Sequence, residues 1–168
     1  RMLALGVELN STAEVEKVWK GIKFVCNPTE GAVLNWLGRQ GVQYRDLRDR
    51  MPIHSRACFT ADRKMMTSVT GRDTCSACVT CPVDGVPDSM STVSSQKAGC
   101  RLVFCKGAPE RVLGVCSRVL KDKKVVPLNV IRSEIDDVVQ EMAKQAVRPL
   151  AIAFHVCPKD STASAKEL

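Results

Sequence analysis

The chain has 168 residues, 45% of them hydrophobic and 26% charged, with a net charge of +7 and a pI near 9.0. This is the size of one ordinary domain with a core of its own, so disulfide staples are not needed, and no apolar run approaches the roughly 20 residues of a membrane span. The charge suits a polyanionic partner, but the aromatic residues are few and none lies between Phe59 and Phe104, which excludes an aromatic platform for a row of nucleic-acid bases.

The apolar "MLALGV" near the start lacks a signal-peptide cleavage region and reads as part of a helix already under way. With the polar close "PKDSTASAKEL", it suggests a soluble piece of a longer protein. "NPTEGAVLNWLGRQG" has the grammar of a helix: Asn27 as N-cap, Pro28 in the first turn, Glu30 three residues past the cap and Gly41 as terminator. Ala32, Val33, Trp36 and Leu37 are its expected apolar face. A short polar helix is expected around "QYRDLRD", ended by Pro52. "SRACFTADRKMMTSVTG" reads as two extended segments, one ending at Phe59 and one from Met65 to Val69, around a polar turn at Asp62 to Lys64.

From Arg72 to Gly99 the composition turns to Ser, Thr, Asp, Gly, Pro and Cys, a stretch longer than loops inside compact domains usually are. Order is expected again at "CRLVFCKGAPERVLGVCSRVL", a strand that turns at Lys106 and Gly107 into a helix begun by Pro109. "KDKKVV" reads as a hairpin or surface turn. Ile131, Ile135, Val138, Val139, Met142 and Ala146 keep a helical period, and "RPLAIAFHV" is a buried strand with Pro149 near its start. Irregular alternation of helices and strands, with neighbouring strands joinable as hairpins, predicts the α+β class: a mainly antiparallel sheet flanked by helices.

Neither common backbone cradle for nucleotide phosphates is present, and the serines lack a nucleophile elbow. His54 and His155 lie far apart and read as a surface and a core histidine. "CSACVTCP" is the one metal-like pattern. Cys75, Cys78 and Cys81, with Cys100 as a fourth ligand, resemble half of a zinc or iron–sulfur site but complete neither known spacing. The alternative function is therefore a zinc- or cluster-binding module that uses its positive charge on nucleic acid. The six cysteines scattered singly (Cys26, Cys58, Cys100, Cys105, Cys116 and Cys157) fit reduced, half-buried thiols.

Four pieces stand out together: "NPTEGA" at 27–32, "FTADRKMM" at 59–66, "FCKGAPERV" at 104–112 and "VRPLAIA" at 147–153. Their order and spacing resemble the nucleotide-binding (N) domain of P-type ion-pumping ATPases of the calcium-pump branch, with "KGAPE" the most specific piece. The resemblance spans the chain apart from an insert at 72–99, and makes residues 1–168 a single nucleotide-binding domain. "LNSTAE", "YRDLRDRMP" and the Met-rich strand after Phe59 look closest to the plasma-membrane type of calcium pump.

The resemblance implies that Phe59 stacks on adenine and that Glu30, beside Thr29, accepts the adenine amino group. Lys64 and Lys106 would line the pocket, Gly107 would let the chain pass close to the ligand, and Arg148 would reach the phosphates. The physical chemistry agrees. A site without a phosphate loop must hold ATP by its base and by side-chain cations, and one stack contributes about 1–3 kcal/mol. Ala61 and Pro149 depart from the pattern, at places where relatives carry arginine and a non-proline residue.

The sequence contains no "DKTGT", no "TGES" and no ion-binding helices. By resemblance, then, the chain binds ATP, with Mg2+ in the intact enzyme, and presents the γ-phosphate to a separate phosphorylation domain without being catalytic itself. The implied partners are ATP and the phosphorylation and actuator domains of the same parent chain, not nucleic acid. The implied location is the cytosolic face of a membrane, reached only through parent helices, with the isolated domain monomeric.

Overall fold

The computed structural model describes residues 2–18, 21–25, 27–41, 48–49, 51–70, 101–122 and 124–157. In chain order these form α1 (Met2–Leu9), β1 (Glu14–Val18), β2 (Gly21–Val25), α2 (Pro28–Arg39), β3 (Ile53–Ala57), β4 (Met65–Thr70) and β5 (Arg101–Gly107). They continue with α3 (Pro109–Gly114), β6 (Arg118–Lys121), β7 (Lys124–Pro127), α4 (Leu128–Lys144) and β8 (Ala151–Cys157). The centre is a four-stranded sheet in the order β3-β4-β5-β8, antiparallel at every pairing. Two separate ribbons, β1-β2 and β6-β7, complete the strands, and the fold is α+β as expected.

Because neighbours across an antiparallel sheet share a face, Met66, Lys106 and Ile152 point to one side, with Ser68, Phe104 and Phe154 farther along it. Helix α1 covers that side. Leu5, Leu9, Met51, Leu102 and Phe104 form one buried cluster there, and Val7, Ala13, Leu34 and Leu37 join α1 to α2 in another. A Cβ on Gly6 would stand 2.6 Å from Ile152 Cγ2, so the missing side chain is what lets α1 lie this close to the sheet. Ala57, Val69, Val103 and Cys157 pack on the opposite face.

Several expectations are corrected. The Asn27 cap is as expected, its side chain accepting from the Thr29 amide at 2.9 Å, and Gly41 takes a positive φ of 78° past the helix end. The buried face of α2, however, is Gly31, Leu34 and Leu37, while Ala32 is exposed and Trp36 is 46% exposed, because α1 approaches from the Leu34 side. Strand β3 ends at Ala57, so Phe59 lies beyond it. Ala146 does not continue α4: its φ is +55°, and the Val147 amide bonds back to the Met142 carbonyl at 2.9 Å, which closes the helix before Pro149. His155 is exposed rather than core, on a strand with a neighbour on one side in this sheet.

The "KDKK" hairpin forms between β6 and β7 with Asp122 at φ +50°. Most of "QYRDLRD" and all of 72–99 lie outside the described residues. No helix among the described residues is long and apolar enough to cross a membrane.

Candidate functional site

Strand register gathers the sequence-derived candidates at one end of the central sheet. Met66 pairs with Lys106 and Met65 with Gly107, while Lys106 and Gly107 pair with Ile152 and Ala151 on their other side. Lys64 immediately precedes β4, Phe59 lies two residues beyond β3, and Arg148 lies three residues before β8. Each of these leaves the sheet at the same end, since alternate strands run in opposite directions.

Lys106 is the innermost. Its Nζ lies 2.6 Å from Oε1 of Glu30, in the first turn of α2, and each side chain is only 10% exposed. Oε2 of the same carboxylate accepts from Ser11 Oγ at 3.1 Å, the Thr12 amide at 2.9 Å and Thr12 Oγ1 at 3.0 Å. Burial works to raise the Glu30 pKa, but the Lys106 contact and the Thr12 donors outweigh it and hold the carboxyl below its ordinary 4.5. Burial lowers the Lys106 pKa, and the Glu30 charge opposes that shift. Glu30 is therefore ionised near neutral pH. Oε2 takes three donors and Oε1 one, so the role of this carboxylate exceeds that of a local capping partner for Asn27.

The outer groups are exposed. Phe59 is 56% exposed, unlike a core ring, and lies beside the turn in which Lys64 takes a φ of +53° and bonds through its amide to the Thr60 carbonyl. Lys64 Nζ is 3.7 Å from Glu110 Oε1, a solvent-accessible pair of small energetic weight. Gly107 lies against β4: a Cβ there would collide with the Lys64 carbonyl oxygen and with Met65 Cα at 2.6 Å. The close approach that this glycine permits is thus between two strands. The Ala108 amide then donates to that same Lys64 carbonyl at 2.9 Å, which ties the "KGAPE" turn to the turn after Phe59. Arg148 and Thr29 are both exposed.

The structure brings Glu30 and Lys106 into direct contact, and joins Lys64 by a backbone hydrogen bond to Ala108, the residue after Gly107. Phe59 and Arg148 share the same end of the sheet. Cys75, Cys78, Cys81 and Cys100 lie outside the described residues, as does Cys26. Among the described residues no group of His, Cys, Asp and Glu is arranged to hold a metal, and Cys58, Cys105, Cys116 and Cys157 are free thiols.

Sequence reasoning missed Asn10, Ser11, Thr12, Arg48 and Arg56. "LNSTAE", and "YRDLRDRMP" for Arg48, carried a signal, as pieces of family resemblance and not as contacts with Glu30 or with the loop.

The family described as P-type ATPase, cytoplasmic domain N, matches residues 84–167, half of the chain. A calcium-transporting ATPase of Plasmodium falciparum is 35% identical over 66 residues, covering 39% of this chain and 5% of that protein. A probable plasma membrane-type calcium-transporting ATPase of Oryza sativa is 28% identical over 157 residues, covering 91% of this chain and 13% of its own length. A plasma membrane calcium-transporting ATPase of Caenorhabditis elegans is 28% identical over 155 residues, covering 89% of this chain and 11% of its own. The chain thus spans about an eighth or less of the relatives it matches. With the family match and the antiparallel sheet in agreement, the chain belongs to the P-type ATPase cytoplasmic domain N family.

Proposed function

We propose that this domain binds ATP at the Phe59–Lys106 end of the sheet and serves a membrane calcium-transporting ATPase, presenting the γ-phosphate to a phosphorylation domain elsewhere in the parent chain. The observation that carries the reading is the pairing of an exposed Phe59 ring with the buried Lys106–Glu30 contact at the same end of the sheet. A large apolar ring left in water at the same end of the sheet as fixed charges suits a flat, polar, anionic ligand. Adenine would stack on Phe59, with its amino group toward Glu30. The ammonium groups of Lys64 and Lys106 and the guanidinium of Arg148 supply the positive field for the phosphates, and the guanidinium can grip two oxygens at once.

Calcium as the cargo rests on the names of the relatives, all of which are calcium-transporting ATPases. The cytosolic face of a membrane is the corresponding location, with the parent's own helices providing the anchor. Magnesium accompanies the phosphates in the intact pump. The domain contributes positioning, and the attacking carboxylate and transport belong to the parent chain, which includes the actuator domain. Residues 1–168 act as one domain, monomeric in isolation.

Titration with ATP, AMP and GTP, with and without magnesium, tests the reading. A base-anchored site binds ATP and AMP at about 0.1–1 mM and GTP more weakly, with little need of magnesium. Nanomolar affinity, or complete dependence on magnesium, would contradict it.

A further inference from the structure

Between α1 and β1, the tripeptide Asn10–Ser11–Thr12 is tied on three sides. Asn10 is fully buried. Its Nδ2 donates to the Met66 carbonyl at 2.9 Å and its Oδ1 accepts from Ser68 Oγ at 2.8 Å, which fastens the loop to β4. On a second side, two arginines hold the loop's backbone. Arg48 donates to the carbonyls of Glu8 (3.0 Å), Ala13 (2.9 Å) and Ser11 (3.1 Å), and Arg56 donates to that of Leu9 (3.2 Å). On the third side lies Glu30. Ser11 Oγ accepts from the Ala13 amide at 3.2 Å, which turns the hydroxyl so that its proton points at Oε2 of Glu30.

A glutamate side chain has three torsions, and a lone lysine partner fixes the position of one oxygen without fixing the carboxylate plane. Three donors on Oε2 remove that freedom. They also favour the ionised form, as do the cations around it: Lys106 from β5 and Arg56 from β3, with Arg48 near Lys106. An ionised carboxylate only accepts hydrogen bonds, so it welcomes an exocyclic amino group and repels a carbonyl oxygen.

We infer that Asn10–Thr12 is the positioning element of the site: by locking Oε2 of Glu30 it fixes the carboxylate plane, so that the lone pair of Oε1 not taken by Lys106 is the acceptor offered to the base, and so sets a preference for a 6-amino over a 6-oxo purine. This rests on the proposal that Glu30 meets the adenine amino group. Ser11 and Thr12 act through Glu30 and touch no ligand themselves.

The test compares ATP with inosine triphosphate, which carries a carbonyl in place of the amino group, on the intact chain, on a Ser11→Ala/Thr12→Val variant and on Thr12→Ser. The ratio of the two affinities is the readout, because a general loosening of the fold weakens both nucleotides alike. The expected result is that the intact chain prefers ATP, the double variant loses at least about five-fold of that preference, and Thr12→Ser keeps it. If the double variant does not fold, Thr12→Val alone is measured, with the same direction expected. An unchanged ratio in a folded variant, or equal weakening toward both nucleotides, overturns the inference while leaving ATP binding standing. If the intact chain shows no preference at all, the assignment of Glu30 to the base fails, and this inference falls with it.

Discussion

Lys106 Nζ and Glu30 Oε1 lie 2.6 Å apart across 76 residues of sequence, and the carboxylate's other oxygen is held by Ser11 and Thr12. Two charges this far out of water stabilise the fold only while both are present. Removing one leaves the other buried and unpaired, which costs about 3–5 kcal/mol. Lys106→Met should therefore destabilise the domain strongly, whereas the double variant Lys106→Met/Glu30→Gln should lose clearly less than the two single losses added together. Urea unfolding of the four proteins in a double-mutant cycle measures this, and additive losses would mean that the pair is not coupled.

The pH dependence of the same pair has a definite sign. The Glu30 carboxyl is held below 4.5 in the fold, so its stabilisation is present above pH 4.5 and is lost as pH falls through the lower folded value. Glu30→Gln should flatten that acid limb of the stability profile.

Glu8 works in the opposite direction. It is fully buried on α1, neither carboxylate oxygen has a hydrogen-bond partner among the described residues, and burial, opposed in part by the charge of Arg48, pushes its pKa from 4.5 up to about 7. A raised carboxyl contributes its stability in full below pH 4.5 and loses it as pH rises through 7. Glu8→Gln, an uncharged shape match, should therefore be more stable than the parent at pH 8, by up to about 3 kcal/mol, with the gain shrinking toward pH 5. Unfolding midpoints at the two pH values decide it. An equal effect at both would show that Glu8 does not titrate in this range.

At Gly107 the obstruction to a side chain is backbone: the Lys64 carbonyl and Met65 Cα both stand in its place. Gly107→Ala should force β4 and β5 apart and cost about 1–3 kcal/mol, with weakened nucleotide binding because Lys106 is the adjoining residue. A thermal midpoint within a degree of the parent would contradict the packing described.

Much of this architecture was legible locally. The Asn27–Pro28 start of α2, the turn from β5 through Gly107 into α3, the β6-β7 hairpin and the body of α4 each carry their own residue signals. What was not legible depends on partners remote in sequence. Trp36 faces outward and Leu34 inward because α1 lies on one side of α2, a fact absent from the helix's own pattern. Glu30 and Lys106 were singled out by resemblance, but their mutual contact is a tertiary fact. Arg48 and Arg56 escaped notice because they serve backbone carbonyls, and any residue type supplies a carbonyl.

Phe59 separates a binding role from a packing role. With more than half of its surface in water, Phe59→Ala should change stability by less than about 1 kcal/mol while removing the proposed adenine stack, worth about 1–3 kcal/mol of nucleotide affinity. If the variant unfolds while its remaining native fraction binds ATP normally, the ring belongs to the core.

The most direct test of the central claim is a residue-resolved amide-shift titration of the domain with ATP in metal-free buffer. Saturating shifts at Glu30, Phe59, Lys64, Lys106, Gly107 and Arg148, with an affinity of about 0.1–1 mM, are the expected result. No response at that end of the sheet, or shifts confined to the "KDKK" hairpin, would contradict it.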